Sequence, residues 1–134
     1  MKKIIIALLI TQLSGCAAWD AFFMAKYDNA EYSMVNNIRT ISELSEEECK
    51  DHFLAESVFN RLYDNAIQLR NFSQHIPRNE ETFKISENLV DLTKQAKEHY
   101  SKNSKVSEIF CKMKLKQISR ASETAQKVIG SKPR

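Results

Sequence analysis

The sequence predicts an all-α protein: a four-helix antiparallel bundle in up-down-up-down order, with one disulfide. Two observations carry this reading. Apolar residues recur every three or four positions through nearly every segment after Ala18, while the strict alternation of a half-buried strand is absent. Glycine and proline are scarce, Gly15, Gly130, Pro77 and Pro133 being the whole set, so the periodic stretches have almost nothing to break them internally.

The first helix is expected over about residues 19–44, with Phe23, Tyr27, Ala30, Met34, Ile38 and Ile41 along one face, a length of more than six turns. A capping box, Ser45 with Glu48 three residues on, opens the second. Its stripe is Phe53, Leu54, Val58, Leu62, Ala66, Leu69 and Phe72, and it fades near His75 because Pro77 disfavours helical geometry in the residue before it. The third is capped by Asn79 and carries Ile85, Leu89, Leu92 and Ala96 toward Tyr100. It reads as the shortest and most polar, and so as the one that leaves a groove for a partner's helix. The fourth follows the turn at residues 101–104 with Val106, Phe110, Met113, Ile118, Ala121, Ala125 and Val128. Gly130 suits the left-handed position that ends many helices. Short links favour antiparallel neighbours, and an irregular helical array is the alternative.

Cys49 falls in the first turn of the second helix and Cys111 in the opening turns of the fourth, at the same end of such a bundle. A Cys49 to Cys111 disulfide is therefore coherent in an oxidising compartment. The alternative is metal ligation, because His52 follows Cys49 in a Cys-x-x-His spacing and Cys111 adds a thiolate; no fourth ligand is evident.

The first residues indicate the compartment. Lys2 and Lys3 precede an apolar run at residues 4–10, too short to span a bilayer, and then the tetrad Leu13-Ser14-Gly15-Cys16. This tetrad resembles the lipobox of bacterial lipoproteins. The resemblance implies cleavage after residue 15, acylation of Cys16, and a lipid-anchored helical domain over residues 16–134. Two acyl chains give stable anchoring at roughly 0.8 kcal/mol per buried methylene. An aspartate after the lipidated cysteine is the usual inner-membrane retention signal; Ala17 stands there, so the resemblance implies the outer membrane, periplasmic face.

The mature composition excludes several function classes. Dinucleotide fingerprints, phosphate-cradling loops and the nucleophile elbow all need glycines that the domain lacks. Cys49, Phe72 and Ala96 stand three residues before His52, His75 and His99, so no Glu-x-x-His pair exists for a di-iron site; haem-attachment and zinc-protease motifs are missing too. Glu46, Glu47 and Glu48 are explained by the positive end of a helix dipole. The expectation is a protein that is not an enzyme, with no cofactor, no metal and no small-molecule substrate. Nor is a nucleic-acid partner indicated, since 20 basic residues, two of them in the leader, face 17 acidic ones.

Charge is nevertheless polarised along the chain: residues 17–64 hold 4 basic and 10 acidic side chains, and residues 65–134 hold 14 and 7. The solvated-face reading is mutual attraction between halves; the sharper one is an anion-binding surface at Lys105, Lys112, Lys114, Lys116 and Arg120, near Lys102. Spacing by two spreads Lys112, Lys114 and Lys116 around the helix, so they do not form one strip. Trp19, Phe22 and Phe23, close behind the anchor, are candidates for membrane contact or for filling the base of the bundle.

These features together predict a lipoprotein that binds another envelope protein as adaptor, assembly factor or inhibitor. In plan and cysteine usage it is similar to the helical pilotins, which carry secretin subunits to the outer membrane by gripping a short helical tail. An exclusion lipoprotein is compatible in size. The alternative is a structural or lipid-interacting envelope lipoprotein whose partner is the membrane surface.

Overall fold

The computed structural model describes residues 24–134. Cys16, Trp19, Phe22 and Phe23 lie outside the described residues, and so do the expectations attached to them. Within the described residues there is no strand. Four helices, α1 (Asn29–Leu44), α2 (His52–Gln74), α3 (Glu80–Lys102) and α4 (Glu108–Gly130), are joined by short links, with a 3-10 turn at Glu47–Lys50 before α2. Consecutive helices pack on one another and α1 closes the ring against α4, as the up-down-up-down order requires.

Local chemistry moves several expected boundaries. Residues 24–28 of the expected first helix are not helical and α1 begins at Asn29, because the Asp28 carboxylate takes the N–H groups of Ala30 and Glu31 at 2.8 and 3.0 Å; residues 19–23 of that expected span lie outside the described residues. The residues just before it are a strap: Ala25 N–H donates to the carbonyl of Arg78 at 3.1 Å and Tyr27 N–H to that of Pro133 at 2.9 Å. The capping box at Ser45 and Glu48 does not form. Glu47–Lys50 winds as a 3-10 turn and Asp51 caps α2 instead, accepting from Leu54 N–H at 2.9 Å. Cys49 therefore precedes α2 rather than lying in its first turn. The α2 end at His75 agrees with the effect of Pro77.

The third helix is not the shortest. It has 23 residues, as α2 and α4 do, against 16 in α1, and its buried face includes Thr82, Ser86 and Thr93 beside Leu89, Val90, Ala96 and Tyr100. Hydrophobic periodicity does not count such hydroxyl-bearing residues, which explains the underestimate. Ser107 caps α4 through Phe110 N–H at 3.2 Å. Gly130 is the last helical residue and has no positive φ, so the left-handed ending is absent; Ser131 closes the helix with ordinary right-handed angles.

The core runs the length of the bundle through Val35, Ile38, Phe59, Leu62, Leu69, Leu89, Leu115, Ile118 and Ile129, all buried. Small residues, Ala55, Ala66, Ala96 and Ala125, separate the large ones. Buried hydroxyls return their protons to the preceding turn: Ser42 to the carbonyl of Ile38 at 3.0 Å, Thr93 to Leu89 at 2.8 Å and Ser122 to Ile118 at 2.9 Å. Each is thus satisfied without a partner helix.

At the end where α1 begins and α2 ends, the core turns ionic. Glu31 is fully buried and its carboxylate accepts from Lys132 Nζ at 2.7 Å, Ser73 Oγ at 2.7 Å and Asn79 Nδ2 at 2.6 Å. Lys132 also donates to Asn79 Oδ1 at 2.5 Å. One carboxylate thereby ties together the start of α1, the end of α2, the start of α3 and the tail beyond α4. We call this end the base.

Candidate functional site at the disulfide end

The opposite end, the tip, is where α1 and α3 finish and α2 and α4 start. Cys49 and Cys111 are joined there in a disulfide with 5.6 Å between Cα atoms, across 62 residues of sequence. Their sulfur atoms are bonded to one another and so do not serve the Cys-x-x-His metal alternative. Among the described residues no group of three or more His, Cys, Asp or Glu side chains is placed to hold a metal ion.

Among the described residues, the large apolar side chains that remain in water gather at the tip. Leu44 is 75% exposed, Phe53 78%, Leu54 55%, Ile109 80% and Met113 47%, and all five lie at this end. Single exposed leucines are ordinary on protein surfaces; their concentration at one end is not. Three of the five, Phe53, Leu54 and Met113, were expected in the core stripes. Helix geometry explains why they are not. The faces that point inward are centred on Ala55, Val58 and Leu62 in α2 and on Cys111, Leu115 and Ile118 in α4, leaving Phe53 and Met113 on the far side.

Beneath these residues is an aromatic layer. The His52 ring lies 5.1 Å from Tyr100 and 5.7 Å from Phe53, Phe59 lies 5.3 Å from Tyr100, and His99 stacks 4.2 Å from Phe110. Burial raises the Tyr100 hydroxyl above its ordinary pKa. Two polar atoms in this region are buried with no hydrogen-bond partner, Glu48 Oε2 and His52 Nδ1, flanking Cys49 and Asp51 in sequence. A buried polar atom left unpaired costs roughly 1–3 kcal/mol, so these two weaken the packing at this end.

The expected cationic residues surround this end without forming one strip. Lys112 bonds Glu108 at 2.7 Å, which, with Glu46 and Glu47 nearby, holds its ammonium above the ordinary value. Lys114 sits 5.8 Å over the Phe110 ring. Lys105, Lys116 and Arg120 are exposed; Lys116 and Arg120 continue the outer face of α4 that starts with Ile109 and Met113, at helical spacing. Glu47 is paired with Lys50, and this hydrogen bond lowers its pKa. Lys102 is paired with Glu98 at 3.2 Å. The rim therefore carries acidic groups beside the start of α2 and basic ones along α4.

Sequence reasoning had singled out the cations but not the apolar tip, because it assigned Phe53, Leu54 and Met113 to the interior. No helix among the described residues is long and apolar enough to cross a membrane. No protein-family model, curated protein or solved structure matches the chain.

Proposed function

We propose that this is a lipid-anchored envelope lipoprotein, held at the outer membrane through Cys16, whose non-enzymatic helical domain binds another envelope protein through its tip. The observation that carries the reading is the position of the exposed Leu44, Phe53, Leu54, Ile109 and Met113, all at the end of the bundle farthest from the point where the chain leads back to Cys16. An anchor at one end and a sticky surface at the other is the arrangement of an adaptor. Burying a Leu, Ile or Phe side chain contributes roughly 1.5–3 kcal/mol, so three such residues supply much of a micromolar affinity. The charged rim adds orientation more than strength.

Two experiments test the two halves of the proposal. Palmitate labelling that depends on Cys16 and stops in globomycin supports the anchor; an unlabelled, soluble product contradicts it. For the tip, the full lipoprotein carrying Phe53→Ser and Ile109→Ser is purified from membranes beside the wild type. Loss of one stoichiometric partner, with an unchanged circular dichroism spectrum, supports docking there. Retention of that partner places the interface elsewhere.

A further inference from the structure

A second site lies at the base, in a cleft of about 360 Å³ where α3 starts. Three of the four helices have a side chain on their first-turn N–H groups, supplied by Asp28, Asp51 and Ser107, but α3 has none. Asn79 occupies the capping position and is turned away: its amide donates to Glu31 and to the carbonyl of Ser73, and its oxygen accepts from Lys132. Thr82, in the same turn, lines the cleft and is 1% exposed, and its hydroxyl has no hydrogen-bond partner. The start of a 23-residue helix thus presents uncapped N–H groups and an unused buried hydroxyl at one place. That is the donor set by which helix N-termini hold phosphate.

The charges around the cleft narrow the ligand. Arg78, Lys84, Glu80 and Glu81 line it, and Lys132, also in the wall, is paired with Glu31. A bare phosphate dianion meets two carboxylates there. A phosphate ester that also carries an ammonium group satisfies both signs, its phosphate toward the α3 N-terminus and its amine toward Glu80 and Glu81. Ala25 and Val128 give the wall an apolar portion for the carbon chain between them. Met24, also in the wall, is eight residues from Cys16, which brings the cleft close to the proposed anchor.

We propose that this cleft binds a phosphate group carried by a zwitterionic headgroup of the phosphoethanolamine type. The source of the headgroup, a membrane lipid, rests on the anchor reading; the cleft itself is tested with soluble compounds, so the two fail separately. The full lipoprotein in detergent micelles, labelled with nitrogen-15, is titrated with glycerophosphoethanolamine, with inorganic phosphate and with ethanolamine. Saturable shifts of the Glu81 and Thr82 amides with glycerophosphoethanolamine are expected, stronger than with either fragment. Thr82→Val should weaken binding roughly tenfold and Thr82→Ser should restore it, since a hydrogen bond to a charged group is at stake. Inorganic phosphate binding as tightly would assign the cleft to free phosphate and overturn the headgroup. Equal shifts with ethanolamine, or none at these amides in the wild type, would overturn the site.

Discussion

The base and the tip of the bundle solve the same problem, how to finish four helices, in opposite ways. The base finishes them with an interior ion pair: Glu31 and Lys132 are both buried, and every oxygen of the carboxylate is engaged by Lys132, Ser73 or Asn79. The tip finishes them with a covalent bridge and leaves large apolar groups in water and two buried polar atoms unpaired. The Glu31 carboxylate at the base is satisfied within the chain, although the α3 start beside it keeps an unpaired Thr82 hydroxyl; the tip is cross-linked and leaves its large apolar groups uncovered. The tip's exposed apolar side chains are therefore not needed to close its own end of the bundle, which a covalent bridge already ties, and are free to meet a partner.

The comparison can be broken or sharpened by substitution. The largest effect is expected from Cys49→Ser with Cys111→Ser. Losing a bridge across 62 residues should cost about 4 kcal/mol in the chain-entropy model, read as a lower midpoint in urea unfolding. Next is Lys132→Met, which leaves Glu31 buried without its counter-ion and should cost about 3 kcal/mol. Adding Glu31→Leu should recover much of that loss. If Lys132→Met were neutral, the base would not depend on its ion pair.

Arg78→Gly is expected to change stability by less. Arg78 holds φ of 60°, a left-handed conformation that costs a side-chain-bearing residue about 1 kcal/mol and glycine little. The gain is partly offset by the freer unfolded chain and by loss of the Arg78 side chain's own interaction, leaving a net change of no more than about 0.5 kcal/mol in thermal unfolding. At the tip, Phe53→Ser and Ile109→Ser should shift stability by no more than about 0.5 kcal/mol, since both side chains are largely in water already. A large loss in either would mean that these residues support the fold rather than a partner.

Acid should act weakly on the bundle's outer faces. Hydrogen bonds from Arg39 to Glu43, from Lys50 to Glu47 and from Lys127 to Glu123 hold these carboxylates below their ordinary range. A carboxylate whose folded pKa is lowered contributes stability above its unfolded value and loses it as pH falls through the folded one. The melting temperature should therefore be flat near neutrality and decline gently below the ordinary carboxylate range, and Glu43→Gln should flatten part of that decline.

Much of the architecture was legible because it depends on patterns that a sequence displays directly. Period and the scarcity of glycine and proline gave the helix class and number, and the placement of Cys49 and Cys111 at two helix starts gave the bridge. Registers were harder. The face of α1 that turns inward is Glu31, Val35, Ile38 and Ser42, one step from the expected Ala30, Met34, Ile38 and Ile41, because a buried glutamate and serine are invisible to an apolar count. The base network was illegible for a related reason: Lys132 lies 101 residues from Glu31, and only the closed ring brings them together. The tip was misread because helix ends overhang the core, so an apolar residue in the first turn can keep the period and still face water, as Phe53 does.

The central claim is that the tip is the docking end. A photo-crosslinking residue placed at Phe53 or Ile109 in the full lipoprotein, in living cells, tests it most directly, with Asn71 and Glu87, exposed toward the middle and base, as controls. The account expects one adduct of a defined mass from both tip positions, absent from the controls and lost when Met113→Ser is added. Adducts from the control positions alone, or lipid adducts alone from the tip, would contradict it.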